Sequence, residues 1–130
     1  MMKMKKALES KNIVFVEKML SDEYRDDIEF DKEMALNYIT SVFKNASDIR
    51  IFIGDVSCLF EEKKVFAEIK AEYRIKTKDY LFTNVLSVSP GGNTLKVVFS
   101  DENGLWLVSE VKNFQEFFCV QKNQVRNYFR

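Results

Sequence analysis

The sequence predicts an α+β domain in which N-terminal helices pack against a strongly curved antiparallel β-sheet. Three observations predict it. The first third of the chain has a helix-like pattern, the hydrophobic period changes to that of a strand at Ile49, and turn signals then separate the apolar runs. Helices followed by a long antiparallel meander are expected to cover one face of the sheet. Strands of ten or more residues with a bend in mid-strand would curve that sheet strongly.

Two helices are predicted before the sheet. Residues from about Met4 to Leu20 mix apolar and charged side chains without a helix breaker, so we expect one helix there. Asp31 is a suitable N-cap for the second helix, because its carboxylate can accept a hydrogen bond from a free backbone N–H. The apolar residues after it recur at helical spacing: Ala35, Tyr38, Ile39, Val42, Phe43 and Ala46.

Period-two patterns predict the strands. The apolar phase shifts at Gly54-Asp55, which predicts a bulge or bend, and the charged run 61–64 predicts a hairpin connection. Residues 65–76 alternate between an apolar and a largely charged face, which is typical of an antiparallel strand with one buried face. Further strands are predicted at Tyr80–Val88, Thr94–Ser100 and Leu105–Lys112, with turns at Pro90-Gly91-Gly92 and at 101–104.

The whole chain, residues 1–130, is predicted to be a single domain, because 130 residues leave little room for a second one. Its core is expected over about residues 4–112. Residues 113–130 contain several large apolar side chains: Phe117, Phe118, Val120, Val125, Tyr128 and Phe129. This composition is too apolar for a free tail, so 113–130 is predicted to dock on the domain or on a partner.

Charge and hydropathy argue against several partners. Twenty Lys and Arg balance twenty Asp and Glu, whereas nucleic-acid binders usually carry a basic excess, so no nucleic acid is expected. No apolar run is long enough to span a membrane, and no membrane partner is expected. The basic N-terminus lacks the apolar stretch of a signal peptide. We therefore expect a soluble, cytoplasmic protein, or an exported one if an upstream leader has been removed.

The chain contains no histidine, which removes many kinds of chemistry. A Ser-His-Asp triad, a Cys-His pair, a histidine metal site and an imidazole base are all excluded. No cofactor is expected, since no phosphate-binding loop is present. No metal is expected either, because the acidic residues between Asp22 and Asp31 lack the spacing of a calcium loop and are interpreted as helix caps and solvated turn residues. Cys58 and Cys119 are expected to be buried, inert thiols.

Two stretches resemble a bacterial branch of the nuclear transport factor 2-like superfamily. One is Leu20–Asp27 (LSDEYRDD), followed by Asp31, a helix and Ser47–Ile51 (SDIRI). The other is Asn103–Val108 (NGLWLV), and the resemblance covers about residues 8–112. It implies a cystatin-like cone, in which a curved antiparallel sheet wraps around helices, and it implies homodimerisation through the sheet. The superfamily contains isomerases, dehydratases and cyclases as well as non-catalytic modules, so the fold leaves the function open.

Two functional hypotheses follow. The first is a non-catalytic binding or interaction module, homodimeric, with a small apolar ligand held in the cone by Tyr38, Tyr73 and Trp106. The second is a small isomerase-, dehydratase- or cyclase-type enzyme acting on an apolar carbonyl compound, with Glu110 as base and a tyrosine, such as Tyr24, as donor. Strand parity predicts that Glu110 shares a face with Trp106 and Val108.

Each candidate also has a structural interpretation. Glu110 would be a solvated strand residue, and the tyrosines would be core residues whose hydroxyls reach its edge. Arg25 could grip an anionic ligand, or could pair with a neighbouring Asp and hold the loop. A third hypothesis, an envelope or secretion-system component, requires an N-terminal anchor, and the sequence shows none.

Overall fold

The computed structural model describes residues 2–78, 81–83 and 94–117. This part of the chain contains four helices and six strands. In chain order they are α1 (Met2–Glu9), α2 (Ile13–Met19), β1 (Leu20–Asp26), α3 (Lys32–Asn45), β2 (Ala46–Glu61), β3 (Lys64–Thr77), β4 (Leu81–Thr83), β5 (Thr94–Glu102), β6 (Leu105–Val111) and α4 (Phe114–Phe117).

The strands form one sheet in the order β1-β6-β5-β3-β2, with β4 paired to β3. All pairs are antiparallel except β1 with β6, which is parallel. The α+β cone is confirmed, and the expectation of a purely antiparallel sheet is corrected to a mixed one. Strand β1 was not predicted because its burial does not alternate: Leu20, Ser21 and Tyr24 are buried, with two exposed acidic residues between them. Sequence-based periodicity cannot recognise such a strand.

The predicted single helix over 4–20 is wrong, since the structure has two helices with a break at residues 10–12. Lys11 adopts φ 58°, which ends α1 with one left-handed residue. The side chain of Asn12 then accepts a hydrogen bond from the Phe15 N–H at 3.2 Å. Asn12 is therefore the N-cap of α2, and its preference for capping explains the break.

The second predicted helix is confirmed as α3, and Asp31 is its N-cap. The Asp31 carboxylate accepts a hydrogen bond from the Met34 N–H at 2.9 Å. Ala35 is buried, while Tyr38, Ile39 and Phe43 are partly buried and pack against the core. The apolar stripe of α3 thus faces the sheet, as its spacing predicts.

The long hairpin of β2 and β3 gives the sheet its curved shape. The predicted irregularity at Gly54-Asp55 is confirmed, because the register shifts between Ile53 and Val56. The hairpin closes where predicted, with Glu61 opposite Lys64. A bulge in a strand of 16 residues bends it and increases its twist.

Strand β3 carries the centre of the core. Its inward residues are buried, as the alternation predicts: Val65, Ala67, Ile69, Ala71 and Tyr73. This side, against which the helices pack, is the concave face. The intervening residues Glu68, Lys70, Glu72 and Arg74 are exposed on the outer face.

Several predictions fall partly outside the described residues. Of the predicted strand Tyr80–Val88, only β4 is described, and the turn Pro90-Gly91-Gly92 lies outside. The predicted turn before β6 is confirmed, because Asn103 and Gly104 both have positive φ, 57° and 84°, as a two-residue hairpin turn requires. Phe114 and Phe117 at the start of the C-terminal segment are buried. Residues 118–130 lie outside, so docking of the whole segment stays a prediction. None of the described helices is long and apolar enough to cross a membrane.

Two glycines provide a matched test of backbone strain. Gly104 has φ 84°, and a Cβ added there would meet no atom within 4 Å. Gly104→Ala should therefore lower the free energy of unfolding only through the strain of a positive φ, by about 1 kcal/mol. A Cβ at Gly54 would meet only the Lys70 carbonyl oxygen at 3.4 Å and the Lys70 Cβ at 3.8 Å, so Gly54→Ala should change the free energy of unfolding less. Urea unfolding of both variants measures the difference, and an equal loss would contradict the assigned turn geometry.

Candidate functional site

The predicted ligand-binding residues Tyr73 and Trp106 lie far apart along the strands of the sheet. Tyr73 lies eight residues along β3 from Val65, which is roughly 26 Å of strand. Val65 pairs with Phe99 on β5, and Trp106 pairs with Asp101, two residues beyond Phe99. Trp106 is therefore farther still from Tyr73, and the structure does not bring these two predicted ligand-binding residues together.

Tyr38 and Tyr73 belong to an aromatic cluster with three phenylalanines. The ring centroid of Tyr38 lies 5.8 Å from those of both Phe30 and Phe114. Tyr73 packs against Phe117 at 5.5 Å. Such tilted and edge-on pairs stabilise a core beyond their burial alone, by about 1 kcal/mol each. The contacts account for both rings as packing residues, and their predicted ligand role remains a prediction.

Tyr24 is buried and forms a hydrogen-bonded pair with the half-buried carboxyl of Asp26. Its side chain is 2% exposed, and its hydroxyl donates to Asp26 Oδ2 at 2.8 Å. Burial, followed by the negative charge of Asp26, raises the pKa of Tyr24 far above its ordinary value. Burial also raises the pKa of the Asp26 carboxyl, although the hydrogen bond from Tyr24 opposes this shift. The carboxylate partner of Tyr24 is thus Asp26, which the sequence interpretation did not select.

Asp26 and Asp27 use their carboxylates to hold the chain. Asp26 Oδ1 accepts hydrogen bonds from the backbone N–H groups of Ile28 and Phe30, both at 3.1 Å. Asp27 Oδ1 accepts from the N–H of Phe114 at 2.6 Å, and so caps α4 from a distance of 87 residues in the chain. Both oxygens of Asp26 are therefore occupied within the fold. The sequence does contain one indication that these aspartates hold the backbone: Asp26 and Asp27 follow shortly after Tyr24 and stand just before a tight turn.

Arg25 is exposed and donates to the carbonyl oxygen of Tyr24 at 2.6 Å. The predicted pairing with a neighbouring Asp is not found, since the ion pairs of the described residues are Lys5–Glu9, Lys32–Asp22 and Arg50–Asp48. Arg25 therefore supports β1 through the backbone.

Glu110 does not share a face with Trp106 and Val108, which corrects the parity prediction. Val108 pairs with Phe99, but Glu110 pairs with Val98, so one extra residue, Ser109, forms a bulge between them. Paired residues point to the same side of a sheet, so Val108 lies on the concave face and Glu110 on the outer face. The Ser109 hydroxyl accepts a hydrogen bond from the Ser100 hydroxyl at 2.7 Å, on the outer side. Parity arguments fail across a bulge because it reverses every later residue.

An open end of the concave face lies at the tips of the β2–β3 and β5–β6 hairpins. We define it by Val56, Cys58, Phe60 and Trp106. The three β2 residues pair with Ile69, Ala67 and Val65 and therefore point to the concave side. Yet Val56 is 44%, Phe60 72% and Trp106 43% exposed. Apolar residues next to the buried stretch of β3 thus lie on its face of the sheet, and the described core leaves them exposed.

Cys58 is exposed at this open end, so the expectation of a buried thiol is wrong. Cys119 lies outside the described residues. The reason for the error is positional: Cys58 alternates like a core residue, but it stands on β2, an edge strand of the sheet. Alternation identifies a face and does not say whether anything covers it. Within the described part of the chain, no group of three His, Cys, Asp or Glu residues could hold a metal ion.

Strand β2 also exposes apolar side chains on the outer face. Phe52 pairs with Glu72 and Leu59 with Phe66, so both point outward. Phe52 is 53% and Leu59 60% exposed. We call Phe52 and Leu59 the outer β2 pair. An edge strand that is apolar on both faces is unusual, because proteins commonly protect such edges with charges or proline.

Solved structures show the same fold. No protein-family model matches the sequence, and no curated protein matches it significantly. A "putative aromatic ring hydroxylase" from Novosphingobium aromaticivorans matches with a TM-score of 0.70 at 13% identity, over 83% of this chain and 78% of that one. A "putative scytalone dehydratase" from the same organism matches with a TM-score of 0.68 at 4% identity, over 83% and 73%.

A third match carries the superfamily's abbreviation in its name. Rd1NTF2_05 with long sheet has a TM-score of 0.52 at 19% identity, over 85% of this chain and 88% of that one. These likenesses establish the fold: the chain has the nuclear transport factor 2-like cone. At such identities they leave the function open.

The Tyr24–Asp26 pair should give stability a distinctive pH dependence. Because burial raises the pKa of Asp26 in the folded protein, folding favours its protonated form. Its contribution is therefore fully present below the unfolded pKa, about 3.9, and is lost as pH rises through the folded pKa. Asp26→Asn should flatten this part of the stability–pH curve, measured by urea unfolding. An unchanged curve would contradict the assignment.

Proposed function

We propose that the protein is a non-catalytic binding module that holds a small apolar ligand at the open end of its concave face. The observation that carries the proposal is the exposure of Val56, Phe60 and Trp106 on the same face as the buried residues of β3. Apolar side chains on a concave surface are the usual lining of a small-molecule site. Covering even part of Phe60 and Trp106 would supply a favourable hydrophobic contribution of about 1–2 kcal/mol for each.

The state of the buried tyrosine supports a role without catalysis. A catalytic tyrosine must direct its hydroxyl at the substrate oxygen, whereas the Tyr24 hydroxyl donates to Asp26. The other oxygen of Asp26 accepts two backbone N–H groups. Using this pair on a substrate would therefore break hydrogen bonds that hold the loop after β1.

The enzyme alternative has one observation in its favour. Tyr24, which is buried, donates a hydrogen bond to the half-buried Asp26 carboxyl. The raised pKa of Asp26 is what a proton-transferring carboxyl requires. In this alternative Asp26 replaces Glu110 as the base of an isomerase-, dehydratase- or cyclase-type reaction. Asp26→Asn should then abolish turnover of an apolar carbonyl substrate, while Glu110→Gln should leave it intact.

We also propose that the protein forms a homodimer through the outer side of the sheet. The outer β2 pair, Phe52 and Leu59, supports this contact because both side chains are more than half exposed. Mixed charges on β3, from Glu68 to Arg74, lie beside them and can pair between two copies. The two proposals use opposite faces of β2 and can be tested separately.

The ligand site can be tested with the single tryptophan as reporter. The apolar dye anilinonaphthalene sulfonate should bind near Trp106 and quench its emission. Phe60→Ser should weaken dye binding about tenfold, which corresponds to about 1.4 kcal/mol. Leu59→Ser is the matched control, since Leu59 is the adjacent residue on the opposite face, and its variant should bind like the parent. Equal effects of the two substitutions would contradict the site.

The homodimer can be tested by sedimentation velocity over a range of protein concentrations. Phe52→Glu with Leu59→Glu should shift the protein to monomer, because charged residues facing each other across an apolar contact are strongly unfavourable. Phe60→Glu on the concave face serves as the control and should leave the association intact. A parent protein that stays monomeric at the highest concentration would contradict the dimer.

A further inference from the structure

One edge of the sheet is formed by β2, which pairs only with β3 among the described strands. We call its other side the free edge of β2. At the opposite end of the sheet, β1 carries three exposed charged side chains, Asp22, Glu23 and Arg25, which discourage the addition of a further strand. Residues 52–60 of β2 contain a single charged side chain, Asp55. The free edge of β2 therefore lacks the usual protection.

Helix α1 closes the first part of the free edge. Glu9, the last residue of α1, accepts a hydrogen bond from the Ile51 N–H at 2.9 Å. Lys11, just after the helix, donates from its side chain to the carbonyl oxygen of Ala46. Residues 46–51 of β2 are thus occupied by α1, whereas the strand beyond them is exposed at almost every position.

The Ile51 N–H also shows which backbone groups point to the free edge. Because this N–H reaches α1, it does not bond to β3, so Ile51 and Tyr73 are a non-hydrogen-bonded pair. The next three β2 residues that face inward-pointing residues of β3 have the same orientation: Ile53, Val56 and Cys58. Their N–H and C=O groups therefore point to the free edge, beyond the part that α1 closes.

The bulge makes this stretch complementary to a second copy of itself. Ile53 and Val56 are three residues apart but face β3 residues that are only two apart, so they are spaced like Val56 and Cys58. Two antiparallel β2 strands related by a two-fold axis at Val56 therefore match in both directions. Val56 faces Val56, and Ile53 faces Cys58 of the second copy. Each of these three pairs would make two hydrogen bonds, about six in all.

The side chains match in the same register. On the outer face Phe52 would meet Leu59 of the second copy, so the outer β2 pair, more than half exposed in one chain, would be covered by its equivalent. Two residues farther out, Arg50 would face Glu61 of the second copy. Both are exposed and carry opposite charges. Apolar and charged positions of β2 thus each find a suitable partner in a second β2.

We infer that two copies of the chain join edge to edge through residues 53–58 of β2, so that the sheet continues from one molecule into the other. The inference rests on the proposed homodimer and assigns its geometry: the outer β2 pairs meet side by side instead of face to face. The pairing ends at Ile51, because Glu9 holds the N–H that a further pair requires. Ile53 of the second copy then lies beside Cys58 and extends the open end of the concave face.

Native Cys58 makes the register testable by disulfide formation. In the Cys119→Ser protein, Ile53→Cys places a thiol opposite Cys58 of the second copy, with Cα atoms about 5.5 Å apart, which suits a disulfide. Within one molecule these two positions are roughly 13 Å apart along the strand, too far for that bond. Ile51→Cys is the matched control, because it lies on the same face, two residues away and next to α1. With oxidised glutathione, the Ile53→Cys protein should form a covalent dimer at least tenfold faster, and peptide mass spectrometry should identify a bond between positions 53 and 58.

A charge exchange tests the same register without a new cysteine. Arg50→Glu should weaken the association about tenfold in sedimentation velocity, because it sets two negative charges against each other twice in each dimer. Arg50→Glu combined with Glu61→Arg should restore the association. A single variant that associates like the parent would argue against this register.

Sedimentation of the Cys119→Ser parent separates this inference from the proposed homodimer. If the parent is a dimer but the Ile53→Cys and Ile51→Cys proteins cross-link at equal rates, edge pairing is overturned and the homodimer stands, since stacked outer faces keep Cys58 on the far side of each sheet. If the parent stays monomeric at the highest concentration, both are overturned. The urea midpoints of the cysteine variants are compared with that of the parent, so that a folding defect is recognised as such.

Discussion

The half-buried Asp26 carboxylate makes the interactions around which the N-terminal half of the cone is organised. It accepts the Tyr24 hydroxyl on one oxygen and two backbone N–H groups on the other. Partial burial opposes its charge and raises the pKa of the carboxyl. The three donors offset only part of that penalty, which limits the cost of placing the carboxylate at the end of β1. Its neighbour Asp27 extends the arrangement to α4. Strand β1, the turn to α3 and the start of the C-terminal segment are thereby held by two adjacent side chains.

Most of the fold could be predicted where local preference and tertiary packing agree. The Asp31 cap, the bend at Gly54 and the alternation of β3 are decided by short-range chemistry, and each was recognised. The break at Lys11 was not predicted, because the capping preference of Asn12 overrides a helix-like pattern. Strand β1 was not predicted either, because its pairing depends on a parallel partner 88 residues away in the chain, with Val108 opposite Leu20. The superfamily resemblance identified the fold from short stretches that are mostly structural, which explains why it said little about chemistry.

The candidate site shows the limits of strand parity more sharply. Tyr38 and Tyr73 were predicted on core faces, and both pack inside or against the core. Tyr24, predicted only as a possible donor, is also buried in the core. Glu110 was placed on the wrong face because one extra residue in β6 reverses the alternation. Val56, Cys58 and Phe60 alternate like core residues, and only the strand order reveals that they lie on an edge that the described core leaves uncovered. Whether another element packs over a residue depends on the tertiary structure, and a local sequence pattern does not contain this information.

The parallel pairing of β1 with β6 has a consequence for how the chain reaches its fold. Leu20 meets Val108, so a strand near one end of the domain gains its partner only after some ninety further residues are available. Contacts of such long sequence separation carry a large loop-closure penalty and slow folding. During synthesis β1 would leave the ribosome well before its partner. The two hairpins, β2 with β3 and β5 with β6, can form earlier, and the addition of β1 is then the step that joins the beginning of the domain to its end.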